Sequence, residues 1–441
     1  MTAALPFLTL PDPLVSGEGA LDPLGLSMIG DHLANQILPG LRARMSRPRF
    51  VTAIAVSAAV CEGLEDRFAA DGVTPAYLVF EWLVVEAFGR AGKPELTLKT
   101  PGTQKAHDVR TSGDVMCART YLKTPTVFGF HGVYKPLARN LGIVDDELRL
   151  ADRGYELLKI WQSEQGMEGF FESATGSGPG RSARQVMRSA VDEGLAASCT
   201  KRGGGWQGWS ILAEHLAPAM AGPKEAAFLQ HLLADAEAAP RGEIFKLLND
   251  AGDTDEHSED DLVRTILSPN ASPDLLRRLK AIAAYENVCA VLEEGFDWIS
   301  FLSTHSQVRP ITRQTFAEQP RARQLAKDLP AAIRGAEDAL TASPLNVQQL
   351  FAQLAKGFDA VRDASALFEA VLARHEQVQK AKPPEGKRSW FERSPDGATM
   401  VRPAYRVTEQ PSADGEWNRP YRISTVLSFL DDLKVVSHEP A

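Results

Sequence analysis

Basic side chains are concentrated between Lys99 and Arg139, within a chain whose formal net charge is −9. Seven lysines and arginines stand against two aspartates in this segment, so its own net charge is +5. Lys and Arg bind phosphates by displacing condensed counterions, and a local reversal of charge is therefore typical of nucleic-acid contact. The segment predicts a DNA-binding or RNA-binding surface, with Lys123 among its contacts. A purely structural role is the alternative.

Residues 131–158 have the order of a winged helix: a helix, a β-turn-β hairpin and a second helix. Their sequence is HGVYKPLARNLGIVDDELRLADRGYELL. The segment resembles winged helix-turn-helix DNA-binding domains, in which the helix before the wing lies in the major groove. The resemblance implies that Lys135, Arg139 and Asn140 face outward and contact nucleic acid. Leu137, on the opposite face of the same helix, is expected to face the core.

Arginines form a second basic cluster ahead of the second predicted helix. Its members are Arg42, Arg44, Arg47 and Arg49. No acidic residue occurs between His32 and Cys61, so nothing nearby in sequence neutralises the cluster. Because the planar guanidinium group suits both phosphates and carboxylates, two interpretations stay open. The cluster contacts nucleic acid, or it pairs with acids of other domains.

Basic and aromatic residues alternate in a third cluster, near the C-terminus. Lys387, Arg388 and Trp390 are its candidate contacts. Proteins grip single-stranded nucleic acid by stacking bases on aromatic rings and by holding phosphates with cations, so this composition predicts such binding. The alternative is that Trp390 docks on the body of the protein.

Sequence patterns of known catalytic and metal sites are incomplete. The segment 176–182 has an arginine where a phosphate-binding loop needs lysine, and the histidines and cysteines lack zinc spacing. Glu385 and Lys387 match the end of a metal-dependent nuclease pattern, but they lie in a proline-rich break instead of on a strand. We therefore expect no catalytic residue, no metal and no cofactor. A metal-dependent nuclease remains the weakest alternative, and whether the chain is an enzyme stays open.

Apolar periodicity predicts a mainly α, multi-domain helical protein with an embedded winged-helix module and a small irregular α+β C-terminal unit. Asp22 and the Thr74–Pro75 pair mark two helix starts, and a long helix is expected from Leu345 to about Gln379. The expected domains are an extended arm at 1–21, a helical domain at 22–95, a winged-helix-like domain at 96–168, a Gly-rich linker at 169–183, a helical domain at 184–381 and a basic, aromatic unit at 382–441.

The block LDPLGLSMIGDHLANQILPGLRARMSRPRF, residues 21–50, resembles the opening of proteins encoded in bacterial antiphage defence islands, near helicases and nucleases. The resemblance implies a subunit of a multiprotein defence system, with a helicase or nuclease as partner and DNA as ligand. It carries over no catalytic residue. We therefore expect a non-enzymatic, nucleic-acid-associated protein. The alternative from another class is a scaffold or adaptor for a partner enzyme that binds no nucleic acid.

Composition is consistent with a folded chain, since 44% of residues are hydrophobic and 24% are charged. The four cysteines lie far apart, as expected of a reducing compartment, and we expect a cytoplasmic protein. The longest apolar stretch, Val51–Val60, is much shorter than the roughly 20 residues that span a bilayer, so we expect no membrane contact.

Overall fold

The structure, a computed structural model, is mainly helical, which confirms the predicted fold class. It describes residues 22–93, 99–171, 178–235, 239–252, 257–305, 310–383, 385–411 and 417–438. The predicted arm at 1–21 and the middle of the predicted Gly-rich linker lie outside the described residues.

The helices are α1 Ser27–Ile37, α2 Phe50–Val60, α3 Ala76–Ala91, α4 Thr103–Thr111, α5 Pro125–Phe128, α6 Phe130–Asn140, α7 Asp152–Glu164, α8 Pro179–Ala197, α9 Gly208–Leu216, α10 Pro223–Leu233, α11 Arg241–Ala251, α12 Glu259–Leu262, α13 Ser268–Asn270, α14 Pro273–His305, α15 Arg313–Ala317, α16 Pro320–Leu340, α17 Leu345–Lys356, α18 Ala364–Ala381 and α19 Ile423–His438. The strands are β1 Phe391–Arg393 and β2 Thr399–Val401.

The chain forms two compact units. Unit 1 contains the described residues of 1–34 together with 271–420, and unit 2 contains 35–270 together with the residues from 421 onward. The predicted C-terminal unit, 382–441, therefore contributes its strands to unit 1 and α19 to unit 2. The other sequence-based domain limits stay a prediction.

Helix α2 lies at the centre of unit 2. Its sequence FVTAIAVSAAV is apolar on every face, and nearly all its residues are buried. A helix of this kind is stable in water only when neighbours cover it all round. The helices that pack against it include α3, α6, α7 and α8. Helix α19 packs in the same unit on α10 and α11.

Unit 1 is built on α14, whose 33 residues make it about 50 Å long at ~1.5 Å per residue. Helices α16 and α18 pack along it, and so does β2. Strands β1 and β2 form an antiparallel hairpin in which Phe391 pairs with Val401. The small β element predicted near the C-terminus is therefore present.

The order expected of a winged helix is present between α6 and α7. One β-bridge joins Val144 to Leu150, and the turn between them is held by Asp145, whose carboxylate accepts N–H groups of Glu147 and Arg149. Gly142 ends α6 with a φ of 71°, a conformation that costs glycine little. The hairpin is shorter than the pair of strands predicted.

Three predicted elements are wrong. The sequence from Asp114 to Leu122 predicts a short helix. That helix is absent, because the Thr120 hydroxyl accepts the Cys117 N–H and donates to the Val115 carbonyl, bonds that compete with a helix. The long helix expected from Leu345 is two helices, since the Asp363 carboxylate caps the start of α18. The predicted linker at 169–183 ends early, because α8 begins at Pro179.

Candidate functional site

Arg49, one of the predicted nucleic-acid contacts, is buried. Its guanidinium pairs with the buried Glu225 carboxylate on α10, with Nε 3.0 Å from Oε1, and also donates to the His215 carbonyl. Arg47 likewise pairs with Asp432 on α19. Both arginines pair with acids that are distant in sequence. The buried Arg49 guanidinium cannot reach a phosphate, whereas Arg47 is partly exposed.

The helix predicted to enter the major groove, α6, presents Asn140 to solvent as expected, whereas Lys135 and Arg139 are half-buried. Arg139 is half-buried and donates to the backbone carbonyls of Asp145 and Asp146 in the hairpin turn. Asn140 is exposed but accepts a hydrogen bond from Arg241. Burial lowers the pKa of Lys135 below its usual range, with a smaller contribution from Arg139. Arg139 and Asn140 therefore form hydrogen bonds within unit 2, while the role of these residues in nucleic-acid contact stays a prediction.

Arg42, Arg44 and Lys123 are exposed, and no ion pair involves them within the part of the chain that the structure describes. The Arg44 guanidinium lies 4.4 Å from the centre of the Phe128 ring, which is itself 42% exposed. Arg44 and Lys99 line a groove of about 330 Å³ whose other wall is formed by serine and threonine side chains of α19. Arg42 and Lys123 are not part of the lining but lie two and five positions along the chain from Arg44 and Phe128. We call Arg42, Arg44, Lys99, Lys123 and Phe128 together the basic groove.

The C-terminal cluster of Lys387, Arg388 and Trp390 is less accessible to a ligand than the basic groove is. Trp390 is half-buried and stacks on Tyr405 with ring centres 4.4 Å apart and nearly parallel planes. Its edge contacts Phe296 of α14, so the ring docks within unit 1 as the alternative interpretation expected. Arg388 pairs with Glu392, and Lys387 is partly exposed.

Three buried side chains that no sequence pattern indicated form a hydrogen-bonded chain in unit 2. The Glu81 carboxylate lies 2.9 Å from Nδ1 of His131, and Nε2 of His131 lies 3.0 Å from the Ser57 hydroxyl. Glu81 also accepts the backbone N–H of His131 and the Tyr121 hydroxyl. Ser57, Glu81 and His131 are each at most 1% exposed. We call these three residues the serine–histidine–glutamate chain.

A cavity of about 190 Å³ adjoins this chain, and Ser57 and His131 form part of its wall. Cys61 also lines it, but burial raises the pKa of that thiol to about 12, so the sulfur stays protonated and a poor nucleophile. Lys135 and Arg139 contribute positive charge to the lining, while Glu65, Asp146 and Glu147 contribute negative charge. The lining of the cavity therefore carries charges of both signs.

A larger cavity, of about 440 Å³, is lined by Arg90, Lys93, Arg110 and Trp209. The Arg90 guanidinium lies 4.6 Å from the centre of the Trp209 rings and pairs with Glu86. Arg110 of the basic segment donates to the Gly89 carbonyl, so it too is partly engaged within the unit.

Sequence reasoning missed the serine–histidine–glutamate chain because its members lie on three helices, α2, α6 and α3. A lone Glu81 within the apolar run VFEWLVV was the one available signal, since an isolated carboxylate on a buried helix needs partners. Nothing local in the sequence indicated which partners it has.

No protein-family model, no curated protein and no solved structure matches this chain. Among the described residues, no group of three or more His, Cys, Asp or Glu side chains is arranged to hold a metal ion. Within the same residues, no helix is long and apolar enough to cross a membrane.

Proposed function

We propose that the protein is a nucleic-acid-associated subunit that contacts its ligand through the basic groove of unit 2. The observation that carries the proposal is the exposed stack of Arg44 on Phe128, with Lys99 lining the same groove as Arg44. An exposed ring offers a platform for a base, and the surrounding cations suit the phosphates on either side of it.

The distribution of charge favours nucleic-acid contact at one local surface over contact across the whole protein surface. The chain carries a net charge of −9, so most of its surface repels a polyanion. Arg42, Arg44, Lys99 and Lys123 reverse the sign locally, and each phosphate contact they make releases counterions. Binding through this surface is therefore expected to weaken steeply as salt is added.

The proposed biological role rests only on the resemblance of residues 21–50 to proteins encoded in bacterial antiphage defence islands. That resemblance supports a role in a bacterial multiprotein system for antiphage defence, with a helicase or nuclease as partner. The second candidate function is an adaptor that binds protein and no nucleic acid. It is favoured by Val127 and Phe128, adjacent apolar side chains that are 51% and 42% exposed.

The test is charge reversal in the basic groove, Arg44→Glu with Lys123→Glu, measured by fluorescence anisotropy with a short labelled single strand and the matching duplex. We expect binding to weaken more than tenfold, a loss of ~1.4 kcal/mol. The free energy of unfolding should change by no more than about 0.5 kcal/mol per site, because both side chains are exposed.

The matched control is Lys224→Glu with Lys246→Glu, two exposed lysines of α10 and α11 whose replacement changes the net charge equally. If both double variants bind equally well, the basic groove is not the contact surface. Wild-type protein that binds neither oligonucleotide at low salt contradicts the nucleic-acid proposal and supports the adaptor. Phe128→Ala distinguishes base stacking from binding by charge alone, since loss of the ring should weaken single-strand binding more than duplex binding.

A further inference from the structure

We propose that Ser57, His131 and Glu81 form a nucleophilic serine site that hydrolyses small, uncharged carboxylic esters. This inference is independent of the basic groove, and it goes beyond the non-enzymatic role expected from sequence. It rests on the geometry of the serine–histidine–glutamate chain and on the cavity beside it.

The hydrogen bonds assign the proton on the imidazole. A carboxylate only accepts, so the 2.9 Å contact with Glu81 requires that Nδ1 of His131 carries hydrogen. The lone pair of Nε2 then faces the Ser57 hydroxyl at 3.0 Å and accepts from it. This is the arrangement in which histidine acts as a general base on a serine, with a carboxylate fixing its tautomer.

Helix packing holds the three groups in place. The Glu81 side chain reaches from α3 to the start of α6, where its carboxylate accepts the backbone N–H of His131 and benefits from the positive end of the helix dipole. Gly129, which precedes α6, permits this approach, because a Cβ at that position would overlap the Glu81 carboxylate. Tyr77 and Phe130 pack on the imidazole with ring centres 5.1 and 4.3 Å away.

The cavity determines what can react. Ser57 is 1% exposed, so an ester reaches its hydroxyl only through the 190 Å³ space that both Ser57 and His131 line. Part of the cavity wall is apolar and is formed by Ile54, Ala58 and Ala76. Such a wall suits a short acyl chain. The lining carries two basic and three acidic side chains, so it offers no clear preference for a charged substrate.

The reaction balances with water as the second reactant. As the Ser57 oxygen bonds to the acyl carbon, its proton passes to Nε2 of His131; the bond from that carbon to the alcohol then breaks, and the alcohol takes the proton. Water next attacks the acyl carbon and gives a proton to Nε2, and the Ser57 oxygen leaves and recovers it. The net change is ester and water to acid and alcohol, and Glu81 serves only to orient the imidazole.

The experiment uses diisopropyl fluorophosphate, a compact reagent that forms a bond between the serine oxygen and phosphorus as fluoride leaves. Intact-mass and peptide mass spectrometry should locate one adduct on Ser57 of the full-length protein. His131→Gln should slow the modification by at least about 100-fold, the usual contribution of a general base. Ser57→Ala should abolish both the adduct and the hydrolysis of p-nitrophenyl acetate.

Ser210→Ala, which removes an exposed serine of α9, is the matched control and should change neither readout. Thermal unfolding of each variant separates loss of the site from loss of the fold. Folded wild-type protein that gains no adduct on Ser57 overturns the proposal. So does Ser57 labelling that proceeds equally fast in folded His131→Gln, because the hydroxyl would then react without its base.

Discussion

Two fully buried histidines, His131 in unit 2 and His375 in unit 1, engage both ring nitrogens but with different kinds of partner. The partners of His131 are side chains, the Glu81 carboxylate and the Ser57 hydroxyl, and a cavity adjoins them. A hydroxyl proton can pass to a ring nitrogen, so this histidine is placed to exchange a proton with a reactant.

The partners of His375 are backbone groups. Its Nδ1 lies 2.9 Å from the Pro23 carbonyl, and its Nε2 accepts the Trp390 N–H at 3.0 Å. A backbone amide does not give up its proton, so the ring serves to join three segments of unit 1. Burial alone therefore does not distinguish a reactive histidine from a structural one; the chemistry of the two partners does.

Acid should destabilise unit 1 through His375, and this is the largest effect expected. Burial lowers its pKa from 6.5 to about 4, opposed by the Pro23 carbonyl and assisted by Lys382. The unfolded state therefore binds more protons between these values. The stabilisation is present above pH 6.5 and is lost as the pH falls through about 4, a change of about 3 kcal/mol.

Urea denaturation of wild type and His375→Gln across that range measures the difference. The glutamine does not titrate, so its curve should lack this part of the pH dependence. Identical pH profiles for the two proteins would show that His375 is not held neutral by its surroundings. His131→Gln should not reproduce the change in unit 1, because His131 belongs to unit 2.

Replacing Glu81 by glutamine should cost about 2 kcal/mol of unfolding free energy and also disturb His131. The carboxylate accepts bonds from His131 and Tyr121, and an amide directs N–H groups at donors, leaving buried groups unpaired. The amide can also donate to Nδ1, which moves the ring proton to Nε2 and removes the base from Ser57. Chemical denaturation measures the first effect, and the rate at which diisopropyl fluorophosphate modifies Ser57 measures the second. The exposed control Glu214→Gln should alter neither.

Ser57→Ala is expected to have the smallest effect on stability, within about 1 kcal/mol. It removes one hydrogen bond to His131, worth ~1 kcal/mol, while alanine favours the helix by a few tenths of a kcal/mol. Val56→Asp, the neighbouring position, should instead unfold unit 2 by burying a charge. If Ser57→Ala proves as damaging as Val56→Asp, the hydroxyl is a structural element and the contrast between the two histidines disappears.

Much of the local architecture could be predicted from residue spacing and end signals. The apolar run Phe50–Val60, the Thr74–Pro75 start and the order of segments from α6 to α7 all follow from short-range patterns. Errors arose where side chains compete locally with the backbone. Thr120 prevents a helix at 114–122, and Asp363 starts a new helix inside an unbroken periodic pattern.

The candidate contacts could be predicted only as groups. Four arginines between Arg42 and Arg49 look alike in sequence, yet Arg49 is 2% exposed and Arg44 lies open on Phe128. Whether an arginine meets solvent or a carboxylate depends on what a remote segment brings to it, here Glu225 from α10.

The sequence by itself determined that the chain is mainly helical, which of its helices are apolar on all sides, and where positive charge gathers. These properties depend on residues a few positions apart, and helix geometry converts such spacing into faces. Only the tertiary structure decided that Ser57, Glu81 and His131 meet, because Glu81 and Ser57 lie 50 and 74 residues from His131 along the chain. Periodicity identifies a buried face but not the face that covers it, so the pairing of hydroxyl, imidazole and carboxylate is settled by how the helices pack.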